Sequence, residues 1–229
     1  MIHFHTFLWK PRGTFKLPKQ KLNVSFTQKH VNKLHQRVKN YCPQRFRFTL
    51  HADPNCLERK DCKYEVSPLW SDHRDLGGCY HRLKGLDIFA RTDPNNIHVM
   101  LDLDFFPRKL FKSNLIFNYD YGFYHTNEGR KHLNCGFYYF KGDSLNHIWN
   151  KFNDNPSEFL ECKSFEGSDQ KVIRVLLADN APEISNNQAI RSLNHLPRYR
   201  FVDREISAVS AHGAVNPYSF KSWRRYPLL

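Results

Sequence analysis

The stretch Asn96-Ile97-His98-Val99-Met100-Leu101-Asp102-Leu103-Asp104-Phe105-Phe106 constrains this chain more than any other. Its β-branched and large apolar residues, bounded by Pro94-Asn95 before and Pro107 after, predict a buried strand rather than a helix. Val99, Leu101, Leu103 and Phe105 fall on one face, and Ile97 and Met100 add apolar bulk. Asp102 and Asp104 are two apart, so on an extended backbone both side chains point to one side. Two carboxylates that close repel, and burying them unpaired is costly. A divalent cation resolves the conflict, since hard oxygen ligands suit Mn²⁺ or Mg²⁺, and the cation could in turn hold a diphosphate. An isolated Asp-x-Asp also serves as a pair of surface or turn acids. The apolar run before this pair places it at the C-terminal end of a central strand, where open α/β sheets put their ligands.

The segments around this strand set the fold class. His3 to Trp9 reads as a first strand, closed by Lys10-Pro11. Ser25 or Thr27 caps a helix with Val31, Leu34, His35 and Val38 at helical spacing, and Pro43 stops it. Arg45 to Leu50 alternates as a second strand and ends at Asp53-Pro54. A short strand near Tyr64-Glu65-Val66 and a helix from Cys79 to Phe89 lead into the acidic strand. The order β-α-β-loop-α-β predicts an α/β fold with a mostly parallel central sheet flanked by helices. Further on, Leu133 to Phe140 reads as a strand containing Gly136, a residue that can mark close approach of a ligand or backbone. Asp143 or Ser144 caps a helix to about Phe152, and Gly167-Ser168-Asp169 opens another. The stretch from Asp120 to Lys131 reads as polar, and Phe201-Val202 as a short strand. No repeat and no domain break is visible, so one domain is expected over residues 1–229.

Charge and cysteine usage narrow the partners. The excess of 35 Lys and Arg over 22 Asp and Glu gives +13, which favours anionic partners: nucleic acid, an anionic membrane surface or phosphorylated substrates. The basic residues are dispersed, the tightest groups being Arg198-Tyr199-Arg200 and Lys221 to Arg225, and a solvated basic surface reads them equally well. No apolar run reaches the roughly 18 residues that a membrane span needs, and Met1 to Phe7 does not resemble a secretory signal, so a cytoplasmic location (host cytoplasm if the chain is viral) is expected. The six cysteines form no C-x-x-C pair and are expected to be reduced. A zinc site from His51, Cys56 and Cys62 fits no closed four-ligand spacing.

Five segments in order carry a family resemblance: the first strand running into Trp9-Lys10 with His30 to Leu34 as the opening helix, Gly77-Gly78-Cys79-Tyr80-His81-Arg82-Leu83-Lys84, Leu101-Asp102-Leu103-Asp104, Asn134-Cys135-Gly136, and Gly167-Ser168-Asp169-Gln170. Together they resemble a glycosyltransferase of the GT-A type, and more narrowly the small phage and bacterial glycosyltransferase-like proteins related to the glycogenin and lipopolysaccharide galactosyltransferase group. The resemblance covers about residues 3 to 215. It implies a Rossmann-like GT-A domain whose nucleotide-binding half, 1–106, ends in D-x-D and whose acceptor half is 107–229. It implies a nucleotide-sugar donor, UDP-linked, with Mn²⁺ or Mg²⁺ held by Asp102, Asp104 and His212. Trp9, Lys10, Asp53, Arg82, Lys84 and Asp102 would bind the nucleotide; Asn134, Asp169 and Gln170 would lie near the transferred sugar. The chain departs from the family at its C-terminal His-x-x-Gly-x-x-Lys-Pro-Trp segment, where His212-Gly213-Ala214-Val215-Asn216-Pro217 keeps a His, a Gly and a Pro.

Each assignment has an ordinary structural counterpart. His212 is one of 13 histidines, Arg82 and Lys84 could be a solvated helix face, and Asp169 could be only a helix cap. Two other functions use the same residues: a metal-dependent nuclease or nucleic-acid-binding protein, and a silent sugar-nucleotide-binding module.

Overall fold

The computed structural model describes residues 1–9, 26–58, 61–70, 80–103, 105–107, 117–128, 130–160, 168–177, 181–182, 190–192 and 208–210. Lys10, Asp104 and His212 lie outside these residues, as do Gly77-Gly78-Cys79, Gly167 and Phe201-Val202.

The first strand, β1 (Ile2–Leu8), is buried along its whole length. That is the burial of an interior strand covered on both faces. Ile2, Phe4 and Leu8 enter one core with Val31, Leu34 and Val38 of helix α1 (Gln28–Tyr41). Phe7 enters a second core on the opposite face. Strand β2 (Phe46–Ala52) follows α1 and pairs parallel to β1, and β3 (Glu65–Pro68) pairs parallel to β2. Helix α2 (His81–Thr92) then crosses to β4 (Ile97–Leu101), which pairs parallel to β1 on its other side. A hairpin of β6 (Tyr121–Glu128) and β7 (Arg130–Lys141) closes the sheet, with β7 antiparallel to β4. The order is β3-β2-β1-β4-β7-β6, so four parallel strands carry an antiparallel hairpin at one edge, with β7 the reversed strand. Three short helices, α3 (Asn146–Asp154), α4 (Pro156–Leu160) and α5 (Asp169–Leu177), join α2 on the second core through Ile148, Trp149, Phe152, Phe159, Val172 and Ile173. The mostly parallel α/β sheet between helices is the architecture expected from the sequence.

The acidic segment departs from expectation. It is not one strand from Asn96 to Phe106. β4 ends at Leu101, Leu103 stands in a turn, and the Phe105 N–H donates to the Asp102 carbonyl at 3.0 Å. The chain turns there because its continuation, β5 (Phe105–Pro107), joins another sheet, ordered β5-β9-β8 with β8 (Ile190–Ser192) and β9 (Ala208–Ser210). Val99, Leu101, Leu103 and Phe105 nevertheless share one core, as the apolar spacing predicts, while Met100 faces the other. The stretch from Asp120 to Lys131, read from the sequence only as polar, supplies β6.

Candidate active site

The strand order reverses at β1: β2 and β3 build out on one side and β4 on the other. In an open α/β sheet such a switch point opens a crevice at the carboxyl ends of the strands. Trp9 follows β1 there, Asp53 follows β2, and Asp102 follows β4. β7 runs antiparallel, so its Asn134-Cys135-Gly136 segment comes to the same edge. Leu101 pairs with Phe137, and the Asp102 N–H donates to the Gly136 carbonyl at 2.9 Å.

β7 is bulged at this point. Phe123 pairs with Tyr138 and Tyr124 with Asn134, so Cys135, Gly136 and Phe137 have no counterparts on β6. A bulge frees backbone groups from the ladder and re-aims them. The freed groups are taken up locally. The Asn134 Oδ1 accepts from the Gly136 N–H at 2.6 Å, and the Gln170 Oε1 accepts from the Cys135 N–H at 3.1 Å. The Cys135 carbonyl accepts from the Arg82 guanidinium. Gln170 is held in turn at the first turn of α5, where its own N–H donates to Asp169 Oδ1 at 2.9 Å.

Arg82, in the first turn of α2, joins these parts. Nη1 donates to Asp102 Oδ1, Nη2 to the Cys135 carbonyl, and Nε lies 3.2 Å from Asp169 Oδ2. Its guanidinium stands 5.6 Å from the centroid of the Tyr138 ring. The side chains of Arg82 and Asp169 are each 4% exposed, whereas Asp102 keeps 31% of its side chain in solvent. Burial pushes the Asp169 carboxyl up to about 6, opposed by the Arg82 charge and assisted by that of Asp102. Burial also raises the Tyr138 hydroxyl well above its ordinary range.

Five of the sequence-predicted residues therefore meet: Arg82, Asp102, Asn134, Asp169 and Gln170. Lys84 does not share this position. Two positions along a helix turn a side chain by about 200°, and the Lys84 ammonium lies 5.9 Å from the Trp149 ring centroid on α3. Asp53 is buried, and its Oδ1 accepts from the N–H and the side-chain amide of Asn55, each at 3.1 Å. Trp9 stands 5.9 Å, ring to ring, from His81, the neighbour of Arg82. Tyr138 and the Cys135 carbonyl escaped the sequence reading. The i, i+2 spacing of Gly136 and Tyr138 places them on one face of the strand and was the available signal.

No family model matches the sequence, and no curated protein matches it. The fold does have counterparts. A crystal structure of the galactosyltransferase LgtC in complex with donor and acceptor sugar analogues superposes with a TM-score of 0.63 at 12% identity, over 99% of this chain and 94% of that one. An active-site mutant of LgtC gives 0.62 at 11%, over 99% and 95%. At such identity the likeness is one of fold, and it establishes that this chain has the GT-A-like fold of that galactosyltransferase.

Proposed function

We propose that this chain is a metal-dependent glycosyltransferase that moves a sugar from a nucleotide-sugar, UDP-linked, to an acceptor. One observation carries the reading: Arg82 gathers Asp102, Asp169 and the bulged Cys135 carbonyl at the β1/β4 switch point. The fold is shared with a galactosyltransferase solved with donor and acceptor sugar analogues.

Asp102 is chemically suited to a hard divalent cation. Asp102 offers a partly exposed carboxylate of which Arg82 engages Oδ1, and carboxylate oxygen suits Mn²⁺ or Mg²⁺. In this reading Asp104 and His212 complete the ligand set. A bound cation of this kind stabilises the charge that gathers on a departing nucleoside diphosphate. The protein's own part is positioning. Arg82 fixes the rotamer of Asp102, and its charge adds to the field on the diphosphate. Gln170 spends its carbonyl on Cys135, which leaves its NH₂ group to donate to a sugar hydroxyl. Asn134 and Asp169 hold the bulge and the α5 terminus in register behind that group. Trp9 and Asp53 line the nucleotide end of the same edge, and the charge of +13 favours an anionic acceptor.

The test is the melting temperature with UDP, GDP, ADP or CDP, each with and without Mn²⁺. Ligand at 100 times its Kd adds about 2.7 kcal/mol, a rise of about 5–11 °C at this length. The expected result is a rise with UDP only when Mn²⁺ is present, abolished in Asp102→Asn and Asp104→Asn. No rise with any nucleotide, together with steeply salt-dependent DNA or RNA binding, would replace this reading with the nucleic-acid one.

A further inference from the structure

A second group of chemistry-bearing residues lies in the sheet, apart from the Arg82 network. His3 and His5 on β1, His51 on β2 and His98 on β4 occupy the face that packs against α2, and all four are buried. His5 Nδ1 is 3.0 Å from His51 Nε2, and His5 Nε2 is 3.1 Å from His98 Nδ1. His98 Nε2 lies 3.0 Å from the Asp93 carbonyl, and His3 Nε2 lies 2.8 Å from Thr49 Oγ1. A carbonyl can only accept, so His98 carries its proton on Nε2 and leaves Nδ1 bare. His3 can donate from Nε2 to Thr49, whose hydroxyl passes on to Glu65 Oε2 at 3.1 Å, leaving Nδ1 bare and without a hydrogen bond. Without an ion, His5 donates from Nε2 to His98 Nδ1 and accepts at Nδ1 from His51; with an ion it takes the other tautomer, donating from Nδ1 to His51 Nε2 and baring Nε2, which moves the His51 proton to its buried, unpartnered Nδ1.

We propose that His3, His5 and His98 form a buried transition-metal site, for Zn²⁺ or a similar borderline divalent ion, that clips β1 to β4. One nitrogen from each of the three rings lies within 4.8 Å of those of the other two, and no other such group occurs among the described residues. The 3.1 Å between His5 Nε2 and His98 Nδ1 matches the span of two imidazoles on one ion with bonds of about 2.0–2.1 Å. A metal-bound histidine ordinarily donates its other N–H to a carboxylate, a backbone carbonyl or water. Here His98 has the Asp93 carbonyl, while the Thr49 hydroxyl and the His51 imidazole take that place for His3 and His5. Burial lowers the basicity of all three rings, so they are neutral ligands at neutral pH. The Asp93 carboxylate, 3.6 Å from His3 Nδ1, and Glu65 offset the ion's charge against nearby Arg47. An all-imidazole set prefers Zn²⁺, Ni²⁺, Cu²⁺ or Co²⁺ to Mg²⁺, so this site is chemically distinct from the one proposed at Asp102 and independent of it. Because the rings are enclosed, the ion enters as the sheet assembles.

The test uses the full chain without a polyhistidine tag, unfolded in guanidinium with EDTA and refolded with Zn²⁺, with Co²⁺ or without metal. The expected result is one Zn²⁺ retained per chain by elemental analysis after gel filtration, with a higher melting temperature than the metal-free protein. Co²⁺ should give visible d–d absorption without a thiolate charge-transfer band. His98→Gln, which keeps a donor for the Asp93 carbonyl, should lose the ion, while Asp102→Asn should retain it. Wild-type protein that refolds to the same melting temperature and retains no stoichiometric ion overturns the proposal, whether or not the variant folds. So does a thiolate band, or loss of the ion in Asp102→Asn.

Discussion

Arg82 ties the sheet edge together, because it is a buried cation with two acids and a carbonyl around it. A guanidinium presents five donors on three nitrogens in a rigid planar fork, so an arginine reaches three separated acceptors where a lysine offers its donors from a single nitrogen. Removing one member of a buried pair leaves the other charge without compensation, at a cost of about 3–5 kcal/mol. Arg82→Met should therefore lose about that much stability by urea unfolding, since Asp169 is buried beside it. Adding Asp169→Asn to Arg82→Met should restore part of the loss, with a coupling of about 0.5–3 kcal/mol. Additive losses would show that the two side chains do not act as a pair. The Asp169 carboxyl, held up to about 6 by burial, is ionised at neutral pH and neutral in mild acid. Carbonyl-region infrared difference spectra of wild type against Asp169→Asn should show that proton arriving near pH 6. A midpoint near the ordinary carboxylate range would contradict the burial argument.

Helix α2 supports both the edge network and the histidine layer, and a glycine in its middle shows how tightly it is fitted. A Cβ on Gly85 would stand 2.9 Å from Phe89 Cε2 and 3.3 Å from its Cζ. The Phe89 ring cannot easily yield. It stacks on His5 at 3.7 Å with an interplanar angle of 10° and abuts His51, His98 and Trp70. In an open helix, Gly→Ala gains about 1 kcal/mol. Here Gly85→Ala should instead destabilise by about 1–3 kcal/mol, the usual range for overpacking. A higher urea midpoint would show that the ring moves aside. The same element marks where sequence reasoning stops. Period and punctuation made β1, α1, β2, α2, β4, β7 and α5 legible, because each carries an apolar pattern between Pro, Gly or capping residues. Arg82, Asp102, Asn134, Asp169 and Gln170 stood in motifs of the sequence, and the fold brings them together. The bulge in β7 and the turn after Leu101 were not. Both depend on which strand lies alongside, and the chain's departure to pair β5 with β9 overrides a local pattern that continues to Phe106. β6 was missed because its hairpin partner, rather than a strong apolar run of its own, makes it a strand. The histidines were visible as His3-x-His5, but only pairing β1 with β2 and β4 makes them one group.

At the scale of the whole molecule, those histidines and Asp169 pull stability in opposite directions as pH falls. Burial lowers His3 to about 4 and His51 to about 3, and holds His5 well below its ordinary value of 6.5. The folded chain leaves these rings neutral at pH 5, while the unfolded chain protonates them. Each such group contributes stability above its unfolded pKa that is lost as pH falls toward its folded one. Asp169 has the reverse sign: the folded chain binds its proton from about 6 downward, and the unfolded chain only near 3.8. At pH 5 the unfolded state thus holds about three histidine protons more and one carboxyl proton fewer, a net of about two. At about 1.36 kcal/mol per proton per pH unit, stability should fall by about 2.7 kcal/mol for each unit near pH 5. His98, His30 and His35, also lowered by burial, steepen the slope. The measurement is urea unfolding across pH 4.5–6.5 in EDTA, so that protons alone are titrated. His5→Leu should flatten the slope by about one proton, and Asp169→Asn should steepen it by about one. A stability that stays level through this range would mean that the layer already takes up protons in the folded state. The neutral hydrogen-bonded array linking β2, β1 and β4 would then not be the form the sheet holds at that pH.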